Sequence, residues 1–149
     1  TLKSLLHYID ERHLAEYHTM KKKRPWLTWD EVREMTKQGI TFGSHTHNHV
    51  ILTNVSLSEA REEIRMSKDT IFRMIDNPLN VFSYPNGNFN DEIVKIIKEY
   101  GFSMAVTTQR GFIRQSKSIH ELKRFVIHND VTCTVPMFAT ALTDHVPFF

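Results

Sequence analysis

Three histidines fall within five residues in the segment Ser44-His45-Thr46-His47-Asn48-His49, in a chain that has nine histidines in all. His45 and His49 stand four residues apart. That spacing would place both on one face of a helical turn, where two neutral imidazoles could reach one zinc ion at about 2.0–2.1 Å. His47 would point elsewhere. A polar loop of solvated histidines has the same composition, and spacing alone leaves the two readings open. The pattern is not the zinc metalloprotease helix motif, because Thr46 occupies the position where that motif needs its glutamate base.

The elements that must position these side chains are readable from periodicity and end signals. Thr28-Trp29-Asp30-Glu31 has capping-box form and Gly39 stands where a left-handed helix end belongs, which predicts a helix from Trp29 to Gln38. Ile40-Thr41-Phe42-Gly43 then reads as a short strand that delivers the chain to the histidines. Ser56-Leu57-Ser58-Glu59 opens a longer helix, with Leu57, Ala60, Ile64, Ile71, Met74 and Ile75 at helical spacing and Asn77-Pro78 as its stop. Val81-Phe82-Ser83 is the next predicted strand, ended by the turn signature Pro85-Asn86-Gly87. Asn90 caps a helix closed by Gly101, Ser103 to Thr107 reads as a strand, Phe125-Val126-Ile127 as a fourth, and Val135 to Leu142 as a last amphipathic piece. Alternating helices and strands without a repeat or low-complexity linker predict an α/β fold with parallel strands in one domain, residues 1–149. In such folds functional groups gather at the carboxyl ends of strands, and His45 to His49, Ser83 to Gly87, Thr107 to Gly111 and His128 all follow predicted strands.

Composition narrows the function classes. The chain has 149 residues, 40% hydrophobic and 24% charged, as an ordinary globular domain does. Nineteen Lys+Arg against seventeen Asp+Glu leave a formal charge of +2, too small a surplus to argue for nucleic acid or an anionic membrane. The one basic block, Lys21 to Arg24, lacks an aromatic stacking ladder and reads as a solvated loop. Cys133 is the only cysteine, so no intrachain disulfide and no thiolate cluster can form. No apolar run approaches the roughly 20 residues that a membrane helix needs. Thr1 is not an initiator methionine, so the chain reads as processed, trimmed or cut from something longer.

Gly43-Ser44-His45-Thr46-His47-Asn48-His49 resembles the second motif of the family 4 carbohydrate esterases, the NodB-homology polysaccharide deacetylases, in which H-[S/T]-x-x-H donates two metal-binding histidines. Leu27 to Met35, leading to Gly39-Ile40-Thr41-Phe42, is similar to the family's approach to that motif. Phe82-Ser83-Tyr84-Pro85-Asn86-Gly87 resembles its third motif, and Ala105 to Thr108 with Gly111 and Leu122 to Phe125 resembles the tail of one branch. The resemblance runs from about Trp26 to Phe138. It implies an incomplete or distorted (β/α) barrel and metal-assisted deacetylation of a polysaccharide, with an N-acetylated aminosugar polymer as the substrate and O-acetyl esters as the open alternative. It further implies His45 and His49 as ligands of a divalent metal, Zn²⁺ by ligand preference, and the main-chain N–H of Asn86 as the oxyanion donor. Pro85 would shape that turn, with a plain surface turn as the alternative, and Tyr84 would either wall the sugar ring or simply pack. His128, after Phe125-Val126-Ile127, would be the general acid or else cap the following turn.

Two departures from the family pattern stand out. Ser83 replaces the arginine that often begins the third motif, and Arg124 is the candidate substitute against a surface ion pair. The first motif, T-F-D-D-G, which supplies the carboxylate base and a third metal ligand, has no match: Asp10 reads as exposed and Asp30 as part of a helix start. The expected partners are therefore a polysaccharide or oligosaccharide and a missing N-terminal segment, with no nucleic acid. The resemblance favours a cell-envelope or secreted location. The rival readings are a catalytically inactive carbohydrate- or metal-binding module on the same fold, and a fragment of a cleaved deacetylase.

Overall fold

The computed structural model describes residues 26–127 and 134–141, and these fall in two units that divide after Ile40. In the first unit, helix α1 spans Trp29–Lys37. Its capping box is complete: Thr28 Oγ1 accepts from Glu31 N–H at 3.3 Å, and Glu31 Oε2 accepts from Thr28 N–H at 2.7 Å. The helix ends as its sequence predicts, with Gly39 at φ +89°.

The second unit is built on parallel backbone pairing. Strand β1 is Val81–Ser83 and strand β2 is Met104–Val106, paired in register Val81 to Met104, Phe82 to Ala105 and Ser83 to Val106. Single parallel bridges extend the pairing on either side, from Ser44 to Phe82 and from Val106 to Leu122. Helix α2, Leu57–Met74, leads to β1, and helix α3, Asp91–Glu99, connects β1 to β2, as a parallel arrangement requires. Asn90 caps α3 by accepting from Ile93 N–H at 2.9 Å.

The core lies where α2 and α3 meet the sheet. Ala60 and Ile64 of α2, Ile97 of α3, Phe82 of β1 and Ala105 of β2 are each 0% exposed. Burying an isoleucine or phenylalanine in such a cluster contributes about 1.5–3 kcal/mol. The Phe82 ring contacts Tyr84 at a centroid distance of 5.4 Å and Phe102 at 5.3 Å, which fixes β1 against the segment entering β2. A short helix α4, Val135–Ala141, follows, and its Val135, Met137 and Phe138 are exposed.

Two predicted strands are corrected. Ile40 to Gly43 forms no strand: the Ile40 amide still bonds to Met35 O at the end of α1, and pairing with β1 is confined to the bridge at Ser44. Phe125 to Ile127 forms none either, because the apolar residue that docks beside β2 is Leu122, whose amide and carbonyl bond to Ala105 and Thr107. Val126 and Ile127 remain 46% and 53% exposed, while Phe125 packs its ring on Phe112. Among the described residues no helix is long and apolar enough to cross a membrane.

Candidate active site

His45 and His49 come together, though not on a helix. The segment from His45 to His49 is irregular, with Thr46 at φ 64° and His49 at φ 59°, and the two rings meet edge to face with centroids 4.8 Å apart. A left-handed conformation at a β-branched threonine is strained by about 1–3 kcal/mol, so something must hold it. The holder is Glu63 of α2. Its Oε2 accepts from the main-chain N–H groups of His47 at 3.0 Å and Asn48 at 2.7 Å, and its Oε1 accepts from Asn48 Nδ2 at 2.6 Å. Those two amides bond to a carboxylate in place of the helical hydrogen bonds that the sequence reading assumed.

Glu63 is a site residue that the sequence reading passed over. It is 7% exposed and deeply placed for a glutamate. Burial pushes its carboxyl up, but the hydrogen bonds from Asn48 and His47 outweigh that, and the net position is below the ordinary value. A signal was present: Glu63 follows Ala60 by three residues and precedes Ser67 by four, on the buried stripe of α2. Ser67 Oγ lies 2.6 Å from Ser44 Oγ, so the same helix face grips both ends of the histidine segment.

The His45 ring is aimed by backbone. Its Nδ1 lies 2.6 Å from the carbonyl oxygen of Ser83 at the end of β1. A carbonyl only accepts, so Nδ1 carries the proton and Nε2 keeps its lone pair, the arrangement that orients metal-ligating histidines. Ser83 thus serves through its main chain at the position where arginine is usual. The donor chemistry of the pair suits zinc. Among the described residues no group of three or more His, Cys, Asp or Glu is arranged to hold an ion.

Beyond Ser83, the Pro85–Gly87 segment turns sharply, with Asn86 at φ 55° and Gly87 at φ +76°. Thr108 Oγ1 donates to Asn86 O at 3.2 Å, tying this turn to the segment after β2. A Cβ on Gly87 would stand 2.0 Å from Thr108 Oγ1 and 2.7 Å from Thr108 N, so glycine is required by space as well as by φ. Asn86 is exposed, and its side-chain Nδ2 donates to Asn88 Oδ1 at 2.8 Å.

Tyr84 and Pro85 lie in the packed interior. Tyr84 is 1% exposed, stacks on Phe89 and donates from its hydroxyl to His120 O at 2.9 Å, and Pro85 is buried too. Burial, then the nearby Glu121 carboxylate, pushes the Tyr84 hydroxyl far above the ordinary tyrosine value. Packing is the role the geometry supports for both. Arg124 has an exposed side chain, and its amide bonds to Gln109 O at 2.9 Å. Asp30 lies in the first turn of α1, ion-paired with Arg33, as a helix-start residue should be. His120 is packed, with Nε2 2.9 Å from Phe102 O. His128, Asp10, Cys133 and Lys21 to Arg24 lie outside the described residues.

The chain belongs to the polysaccharide deacetylase family, whose model matches residues 2–105. That match begins well ahead of Trp26 and ends before Leu122, so it takes in more of the front of the chain than the motif resemblance did. The chain is 31% identical over 98 residues to YxkH of Bacillus subtilis (strain 168), named as a polysaccharide deacetylase, covering 66% of this chain and 35% of that protein. It is 31% identical over 81 residues to a peptidoglycan-N-acetylglucosamine deacetylase of Bacillus cereus, covering 54% of this chain and 36% of that one. The Streptococcus pyogenes deacetylase PplD, solved in complex with acetate, matches with a TM-score of 0.71 and 25% identity over 78% of this chain and 51% of that chain. The architecture is an incomplete (β/α) barrel of the polysaccharide deacetylase type. The chain spans about a third of the length of the curated relatives it matches.

Proposed function

We propose that this chain carries the histidine pair of a metal-dependent polysaccharide deacetylase acting on an N-acetylated aminosugar polymer. The observation that supports the reading is the His45 ring, fixed on Ser83 O at 2.6 Å with the His49 ring 4.8 Å away. In this reading His45 and His49 hold a divalent ion, Zn²⁺ by preference for imidazole. The chemistry such an ion supplies when bound is polarisation of the acetyl carbonyl and acidification of a water. Ser83 O keeps the His45 lone pair at Nε2, Glu63 holds the loop that carries both rings, and the Asn86 N–H stands at the oxyanion position. His128 returns a proton to the leaving amine. The location consistent with this reading is the cell envelope or outside the cell.

A second reading, a catalytically silent carbohydrate- or metal-binding module, draws support from one observation: the sequence contains no adjacent pair of aspartates. One set of measurements separates the two. Metal content per chain should fall to background in His45→Ala and in His49→Ala and stay near wild type in His47→Ala. Equal loss from all three sinks the ligand assignment. Metal bound without any acetate release from acetylated chitooligosaccharides supports the silent module.

A further inference from the structure

The turn that follows β1 uses most of its own main-chain donors and leaves one over. Gly87 N–H donates to Tyr84 O at 2.8 Å and Asn88 N–H to Pro85 O at 3.2 Å, while Pro85 has no N–H to give. Asn86 N–H has no hydrogen-bond partner among the described residues. The peptide plane that carries it is held at its other end, because Pro85 O is the acceptor for Asn88. A trans peptide points its C=O and N–H in opposite directions, so the Asn86 donor faces away from the bond that closes the turn. A main-chain donor that the fold does not use, on an exposed residue, is what an oxyanion site requires.

Asn86 holds this pose in the left-handed region, at φ 55° and ψ 3°. Asparagine tolerates that region when its short side chain bonds to nearby backbone. Here the side chain is engaged elsewhere, with Nδ2 on Asn88 Oδ1. The hold comes instead from a segment twenty-two residues on, where Thr108 Oγ1 donates to Asn86 O at 3.2 Å. The same threonine packs on the bare Cα of Gly87, so it touches both consecutive residues of positive φ. Its footing is rigid. Thr107, before it, is 0% exposed, and its N–H and Oγ1 both donate to Leu122 O, at 2.9 and 3.1 Å. Tyr84 N–H donates to Val106 O at 3.1 Å, so the turn is pinned to the end of β2 at two points, one ahead of Asn86 and one on it.

We propose that Thr108 is a positioning residue, whose hydroxyl holds Asn86 in its left-handed conformation and so keeps the Asn86 N–H presented as an anion donor. The proposal rests on the deacetylase reading for the anion received, the oxyanion formed when water adds to an acetyl carbonyl, and on the Thr108 contact for the geometry. The test uses the full 149-residue chain, labelled with ¹⁵N, as wild type, Thr108→Val and Thr108→Ser. Valine keeps the shape without the hydroxyl and serine keeps the hydroxyl. Thr108 is exposed, so neither change disturbs the core. The three-bond amide–Hα coupling of Asn86 reads its φ, and its amide shift during titration with acetate reads the donor. Wild type and Thr108→Ser should share one coupling and one acetate response, whereas Thr108→Val should change the coupling and need about tenfold more acetate. In acetate release from N,N′,N″-triacetylchitotriose, Thr108→Val should lower kcat roughly tenfold at unchanged KM, part of the about 10²–10³ that an oxyanion donor supplies, and Thr108→Ser should restore it. An unchanged coupling and acetate response in Thr108→Val, a serine variant as impaired as the valine, or no acetate response of the Asn86 amide in wild type overturns the proposal. A raised KM at unchanged kcat in Thr108→Val overturns it as well. No acetate release by the wild type, with the coupling and amide response as expected, sinks the deacetylase reading and leaves the Thr108 hold on Asn86 standing.

Discussion

The Nδ1 atom of His45 lies 2.6 Å from the carbonyl oxygen of Ser83, so a ring in one motif is oriented by the backbone of another. The contact dictates a tautomer. Long-range proton–nitrogen correlation spectra should show Nδ1 as the protonated nitrogen of the neutral His45 ring, and added Zn²⁺ should move the Nε2 resonance. A proton on Nε2 in the neutral, metal-free ring contradicts the geometry.

Glu63→Ala removes the acceptor of the His47 and Asn48 amides. Each amide left unpaired should cost roughly 1–3 kcal/mol, read by denaturant unfolding. Metal affinity should drop about 10–100-fold, the range for groups that hold ligands in position. An unchanged midpoint in urea with unchanged metal affinity refutes the bracing role.

The same carboxylate makes stability depend on pH. Burial raises the Glu63 carboxyl, and hydrogen bonds from Asn48 and His47 lower it further than burial raises it, to a net position below the ordinary 4.5. A group lowered in the folded state contributes stability that is full above its unfolded value and is lost as pH falls through its folded value. The stability gap between wild type and Glu63→Gln should therefore be widest near neutrality and shrink below about pH 4.5. A gap that stays constant to pH 3 argues against a charged Glu63 in the folded state.

Tyr84→Phe deletes only the hydroxyl that donates to His120 O. Stability should fall by about 0.5–1.5 kcal/mol, with no change in KM for an acetylated oligosaccharide. A raised KM at unchanged stability would return Tyr84 to the sugar site.

Gly87→Ala places a Cβ 2.7 Å from a backbone nitrogen at φ +76°. The left-handed conformation alone costs of order 1–3 kcal/mol off glycine, and the Thr108 contact adds to it. Thermal melting should show a large loss, and Thr108→Gly in the same chain should restore part of it. Full tolerance of the alanine means that the turn and the segment after β2 are not in contact.

Much of this arrangement is legible in local sequence, where a side chain and its partner lie within one turn. Thr28 with Glu31, Asn90 with Ile93, and Gly39 and Gly101 at positive φ follow from such rules. The histidine pair is legible as a pair, but its conformation is not, because the loop is shaped by Glu63 across a separation of fifteen residues or more. Among Glu59, Glu62 and Glu63 the sequence offers one chemical type, and only the helix face distinguishes the buried one. The predicted strand at Phe125 to Ile127 failed for a related reason. Several apolar residues could dock beside β2, and tertiary hydrogen bonds to Ala105 and Thr107 selected Leu122. Tyr84 and Pro85 sit in a motif whose pattern looks identical whether its side chains face solvent or core.

Ser44, β1, β2 and Leu122 succeed one another across the sheet in chain order and all in parallel. No hairpin can nucleate such an array. Each pairing forms only after the chain has looped through an intervening helix or loop, so closure entropy is met before the contact offsets it, and assembly is slow relative to helical chains of the same size. The span from Ser44 to Phe82 contains all of α2 and is the longest of these loops. Since His45 follows Ser44 directly and docks on Ser83, the imidazole pair exists as a pair only once that loop has closed. On the proposed metal-binding reading, chelation is therefore a late event in folding, with metal uptake following helix formation in a refolding chain.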